Sequence, residues 1–278
     1  MTLELAVRIS EIMLALAVVQ QSLEHLKDRQ GRVLFAVRIV LCGGVLTGVA
    51  SGVALELAVR ISEIMLALAV VQQSLEHLKD RQGRVLFAVR IVFCGVLLTG
   101  VASGVALAGL FAVSVLYLHR FAGPYNGGSD KMTILITFCL MIARLGPSQL
   151  WAELAMSYLA VQLVLSYFVS GYVKIVKSEW RSGQALVDVF TFSAYPVSES
   201  LRAWAKHPRL LQAMSWGVMG FEVLFPLAVL HIATLGMGLA IAATFHLANA
   251  FLFGLNRFFW IWICAYPSVI WFQGRIFG

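Results

Sequence analysis

The chain alternates long apolar runs with short polar breaks. Cut at the ~20 residues that cross a bilayer, the runs predict helices over 3–24, 33–52, 55–76, 85–103, 105–119, 131–145, 150–174, 210–231, 234–254 and 257–272. The runs are continuous rather than alternating with period two, so they predict helices and argue against an outer-membrane barrel. Length forces the break near Ser103–Gly104. Unbroken, 85–119 would be a helix of ~50 Å against a hydrocarbon core of ~30 Å. The expected fold class is all-α: a polytopic transmembrane helical bundle of about ten spans.

The pattern repeats itself. Leu3–Ala54 recurs as Leu55–Ala106 with three differences: Leu41 against Phe93, Gly44 against Val96, and Val45 against Leu97. Such near-identity has the form of a recent tandem duplication of a helical hairpin, or of an error in assembling the gene, and both stay open; the domain reading is 3–54, 55–106 and a remainder over 107–278. Each copy holds two apolar segments around the linker KDRQGR. A unit of two spans enters and leaves on one side, so a second copy need not invert the spans after it. Without the duplicated hairpin the bundle has about eight spans.

Charge adds orientation. Hydrophobic residues make up 60% of the chain and charged residues 13%, too little polar material to coat a soluble domain, where ~25% is usual. That excludes a soluble enzyme, a disordered chain and a secreted disulfide scaffold. The net charge of +7 sits in short loops, 25–32, 77–84, 120–131 and 175–209, with Arg257 at the turn 255–257. This is the pattern of cytoplasmic loops rather than of nucleic-acid binding, and it places both termini outside. Arg144 and Arg275 are the exceptions. The partner implied by composition is the lipid bilayer. Cys42, Cys94, Cys139 and Cys264 lie in apolar segments with no metal spacing and are expected reduced and packed. The N-terminal residues lack the basic start and cleavage site of a signal peptide.

The polar residues inside the spans carry the chemistry. In 150–174, Glu153, Ser157, Tyr167, Gly171 and Lys174 share one helical face. In 234–254, Gly238, Ala242, His246, Asn249 and Phe253 share another. Glu222 lies in 210–231 on the face of Ser215 and Pro226, and needs a partner; Lys174 and His246 are the candidates. Polar stripes of this kind line a wet cavity or simply pack helices together, and both readings stay open. Glu4, Arg8 and Glu11, at helical spacing, are expected to neutralise one another. Glu24-His25 and Glu76-His77 are expected to be solvated at span ends, and Asn256 to bond a neighbouring helix. Ser129 or Asp130 is expected to cap the helix after PYNGGSD. The loop 175–209 is expected at the interface, with Ser198 capping a short helix SLRAWAK that His207-Pro208 ends. No metal-binding or nucleotide-binding signature occurs.

The segment YFVSGYVKIVKSEWRSGQAL resembles the HTTM family, the membrane-domain relatives of vitamin K-dependent gamma-carboxylase. The residues that carry it are Ser170, Gly171, Lys174, Trp180 and Gly183. GFEVLFP, with Glu222, and FHLANAFLFGLNRFFWIWICAYP, with His246, Asn249 and Tyr266-Pro267, are similar to the family's later spans. The resemblance implies a reduced quinone as the reacting partner and a lysine base at or beside Lys174. Ile175 stands where the carboxylase has a second lysine, and the carboxylase's large extramembrane domain has no counterpart before Gly278. The resemblance also puts Lys174 on the non-cytoplasmic side, where the charge pattern puts it inside. All three departures argue against glutamate carboxylation itself.

Three functions stay open. The first is a membrane enzyme acting on a lipid-soluble quinol or similar hydrophobic substrate, with Lys174, His246 and Glu222 catalytic and Glu153, Ser157, Tyr167, Asn249 and Trp180 binding substrate. The second is a non-catalytic component of a maturation or export system, partnered by another membrane or secreted polypeptide. The third is a transporter. The location expected is the bacterial cytoplasmic membrane, with no nucleic acid and no metal.

Overall fold

A computed structural model describes residues 29–78, 83–120, 127–192 and 199–277, with side chains over 51–78, 83–118, 128–192 and 201–277. All regular structure among them is helical: α1 (Arg29–His77), α2 (Arg84–Thr99), α3 (Ser103–Arg120), α4 (Gly127–Leu145), α5 (Gln149–Val176), α6 (Ser178–Arg181), α7 (Gln184–Phe192), α8 (Glu199–Arg202), α9 (Pro208–Ala228), α10 (Ile232–Phe253) and α11 (Asn256–Phe277), with a 3₁₀ turn at Ala203–Lys206. The chain divides into two compact units, Met1–Leu57 and Ala58–Gly278. The described part of the first is the opening stretch of α1. The helical bundle lies in the second.

Among the described residues three helices are long and apolar enough to cross a membrane: Gln149–Val176, Pro208–Ala228 and Ile232–Phe253. The sequence pattern predicts about ten such spans, and that number is not confirmed. Two reasons are visible. The expected break between 33–52 and 55–76 is absent, because α1 runs without interruption from Arg29 to His77. The expected span 257–272 lies in α11, whose Pro, Gln, Tyr and Trp residues lower its hydropathy. The break near Ser103 does occur, slightly earlier. Helix α2 stops at Thr99 on a left-handed Gly100 (φ 75°), and α3 starts at Ser103. The first hairpin copy's apolar segment 3–24, its Glu4, Arg8 and Glu11, and Ser198 lie outside the described residues.

The outer face of α5 is apolar. Leu150, Leu154, Tyr158, Val161, Leu165 and Val169 recur at intervals of three or four residues and are all exposed. In water this would be a large apolar patch of the kind soluble monomers avoid; against lipid tails it is ordinary. The inner face, Met156, Leu159, Ala160 and Leu163, is buried, and Tyr167 continues it toward the polar end.

Ion pairs join the second hairpin copy to the bundle. Glu63 is fully buried and receives Arg144 through two bonds, Nε to Oε1 at 2.6 Å and NH2 to Oε2 at 3.0 Å. Arg60 donates to Glu63 Oε2 at 3.0 Å, and also to the carbonyls of Leu97 and Leu98 at 2.7 and 2.6 Å, capping α2. In this copy, then, the acid–base pairing expected for the first is present, and Arg144 is its third member. Glu76 is exposed at the end of α1, as the sequence suggests, while His77 is only partly exposed. Glu76 accepts from Asn256 at 3.0 Å, and His77 contacts Arg257 and stacks on Phe87. The start of α11 needs partners for its polar residues, and the end of α1 supplies them. Ser129 and Asp130 do not cap α4. The helix already begins at Gly127, and Asp130 turns inward to accept from Gln73 at 3.3 Å. The short helical segment ends at Lys206 with His207 as its cap, as expected, and Pro208 goes on to open α9, where its missing N–H costs nothing. Cys94, Cys139 and Cys264 are free and buried.

Candidate functional site

Helices α5, α9, α10 and α11 surround a cavity of about 200 Å³. Its walls include Tyr167, Ser170, Lys174, Glu222, His246 and Asn249, with Phe245, Phe258 and Trp262 as aromatic panels.

Backbone proximity makes one wall. An added Cβ on Gly171 would lie 2.8 Å from Glu222 Cβ and Val223 Cγ2, and 2.9 Å from the Val223 nitrogen. Only glycine lets α5 and α9 approach this closely. The approach carries Glu222 to the end of Lys174. The Lys174 ammonium donates to Glu222 Oε1 at 2.7 Å and Oε2 at 2.6 Å, and to Ser170 Oγ at 2.6 Å. Ser170 in turn donates to Glu222 Oε1 at 3.1 Å. An ammonium has three donors, and these three contacts engage them all. Trp180 closes the outer end, its ring 5.2 Å from the Lys174 nitrogen.

The loop that brings Trp180 there is held by main-chain acceptors. Arg181 donates to the carbonyls of Ile175 and Val176 at 2.7 and 2.9 Å, satisfying the last turn of α5. Ser215 and Trp216 of α9 donate to the carbonyls of Trp180 and Arg181 at 2.5 and 3.1 Å. Gly183 then turns the chain at φ 82°, and a Cβ there would sit 2.7 Å from Gln212 Cα. Ser170, Gly171, Lys174, Trp180 and Gly183, one motif in the sequence, therefore each have a physical task around one point.

The opposite wall is a histidine among aromatic rings. His246 is 5% exposed and its Nε2 lies 3.0 Å from the Tyr167 hydroxyl. Tyr167 lies 3.4 Å from the Tyr266 hydroxyl. Trp262 and Phe245 both pack at 5.2 Å between ring centroids from the imidazole. Among the described residues no group hydrogen-bonds His246 Nδ1.

Of the residues singled out from the sequence, Lys174, Glu222, His246, Tyr167 and Asn249 meet at this cavity, and Trp180 covers Lys174. Glu153 and Ser157 do not. They share the face of Lys174, but Glu153 lies roughly 30 Å away along α5, where it accepts from Gln149 at 2.7 Å. A helical face says which direction a side chain points, not at what depth its partners stand. Sequence reasoning passes over Phe245, Phe258 and Trp262, which no polar signal marks, and sees Tyr266 only as half of a Tyr-Pro ending.

A cavity with convergent polar groups therefore lies inside an apolar helical bundle, three of whose helices are long and apolar enough to cross a membrane. Residues 147–273, which include every wall of that cavity, match the model of the HTTM domain, a membrane-associated family. No curated protein and no solved structure matches the chain.

Proposed function

We propose that this chain is a polytopic protein of the bacterial cytoplasmic membrane, and that its HTTM domain takes the ring of a lipid-soluble quinol, or of a similar hydrophobic hydroxyl compound, into the Lys174–His246 cavity. The observation that carries this reading is the pairing of two unlike walls. One is a cation held by a carboxylate and a hydroxyl; the other is an imidazole among aromatic rings. Pockets for small apolar ligands have this character: mostly aromatic lining with a few placed polar groups.

The arrangement divides the roles. Lys174, protonated and held by Glu222 and Ser170, has no lone pair to offer; it stabilises a hydroxyl's developing anion by giving up its Ser170 contact and turning that N–H to the substrate oxygen. His246 takes the proton, Tyr167 orients its ring, and Glu222 and Ser170 hold the lysine in place. Asn249 positions the substrate's second polar atom. Such a cavity admits a ring rather than a polypeptide, and with Ile175 in the second-lysine position the reading does not include glutamate carboxylation. Helices α2, α3, α4 and α11 and the part of α1 from Ala58 onward complete the bundle as further spans, with α6–α8 at the interface.

The same engaged lysine supports a second reading, in which the Lys174–Glu222 pair is a brace and the domain is a non-catalytic component that presents another polypeptide. Fluorescence separates the two. A short-chain naphthoquinone titrated into the full chain in detergent is expected to quench tryptophan emission saturably, and Trp262→Phe to remove most of that quenching. Quenching that never saturates, or that Trp262→Phe leaves intact, goes against a ring in this cavity.

A further inference from the structure

The polar side chains that seat the second hairpin copy are all present in the first copy's sequence as well. The second copy engages the rest of the bundle through Glu63 to Arg144, Gln73 to Asp130, Glu76 to Asn256, His77 to Arg257, and Phe87 and Arg90 to the Tyr117 ring. Each of these residues has an identical counterpart 52 positions earlier: Glu11, Gln21, Glu24, His25, Phe35 and Arg38. Arg60, which caps α2, corresponds to Arg8. The receiving side, from Leu107 onward, occurs once.

The chain also shows that the repeat's punctuation is not fixed by its own sequence. Thr99-Gly100-Val101-Ala102-Ser103-Gly104 forms the break between α2 and α3, with Gly100 left-handed. The identical hexapeptide Thr47–Gly52 lies within α1 as uninterrupted helix. One sequence thus adopts both states needed to shift the hairpin by a repeat, and context chooses between them.

We infer that the two copies compete for one seat, so that the first copy replaces the second whenever the second is impaired. The three differences set which is seated. The Phe93 ring fills the notch at Gly109, where an added Cβ would lie 2.2 Å away, and Leu97 is fully buried; the first copy offers the smaller Leu41 and Val45. Val96, the third difference, is 36% exposed and adds little. The second copy therefore fills the seat better, and the first is its reserve.

Charge reversal in the full chain tests this, read as the folded fraction after detergent extraction. Glu63→Arg alone and Glu11→Arg alone are each expected to stay near wild type, because one intact copy remains for Arg144. The double variant is expected to lose folded protein by about tenfold or more, as the half-buried Arg144 then faces an arginine in either copy. Adding Arg144→Glu to the double variant should restore it, which separates loss of the seat from general damage. Equal yields for Glu63→Arg and the double variant, whether both high or both low, overturn the inference.

Discussion

Glu222→Ala is expected to destabilise the folded protein by about 3–5 kcal/mol. The substitution removes two of the three acceptors of the Lys174 ammonium and leaves Ser170 as its remaining hydrogen-bond partner. The Glu222 side chain is 4% exposed and that of Lys174 16%, so little water reaches the stranded charge. Removing both charges removes the cause. The double variant Lys174→Ala with Glu222→Ala is therefore expected to regain most of the loss, since a buried pair contributes little net stability once its own desolvation is counted. Equilibrium unfolding of the four proteins in one detergent gives the coupling directly. A Glu222→Ala protein as stable as wild type, or a double variant no better than the worse single one, contradicts the pairing described here.

Gly171→Val is expected to cost about 1–3 kcal/mol or more, and to open the Lys174–Glu222 contact as it does so. The atoms that a Cβ would meet include the Val223 backbone nitrogen at 2.9 Å, which has no rotamer to escape into. Helices α5 and α9 must move apart, and the two charges ride on them. Gly220→Ala is the control. Its added Cβ meets nothing within 4 Å, and alanine is the better helix former, so stability should hold or rise slightly. If both substitutions behave alike, close approach at Gly171 is not what joins the helices.

How much of this is legible in the sequence varies with the kind of signal. Apolar runs mark the helices well, because burying backbone polar groups in lipid leaves few other options. They mark the ends poorly. The sequence Thr47–Gly52 carries the same turn residues as Thr99–Gly104, yet only the second makes a turn. Intramembrane charge marks Lys174, Glu222 and His246 as residues in need of partners, and the two candidates for Glu222 include the one it has. Arg144 stands out only as an anomaly in the charge pattern, because its partner Glu63 lies 81 residues away and no local spacing connects them. The aromatic panels are invisible. Phe245, Phe258 and Trp262 are chemically ordinary in an apolar helix, and only the packing of α10 against α11 turns them toward the same space. Glu153 and Ser157 show the converse: a shared face predicts a shared site, but the cavity occupies only one end of that face.

On the proposed function, the cavity between Lys174 and His246 holds a small lipophilic ring compound. Native mass spectrometry of the full chain, released from its own membranes in mild detergent, tests it most directly. The account predicts a retained small molecule with a quinone's mass and absorbance, lost in a His246→Ala variant and kept in Glu153→Gln, whose side chain lies far from the cavity. A clean apo mass with a copurifying polypeptide, or a bound molecule retained equally by both variants, would contradict it.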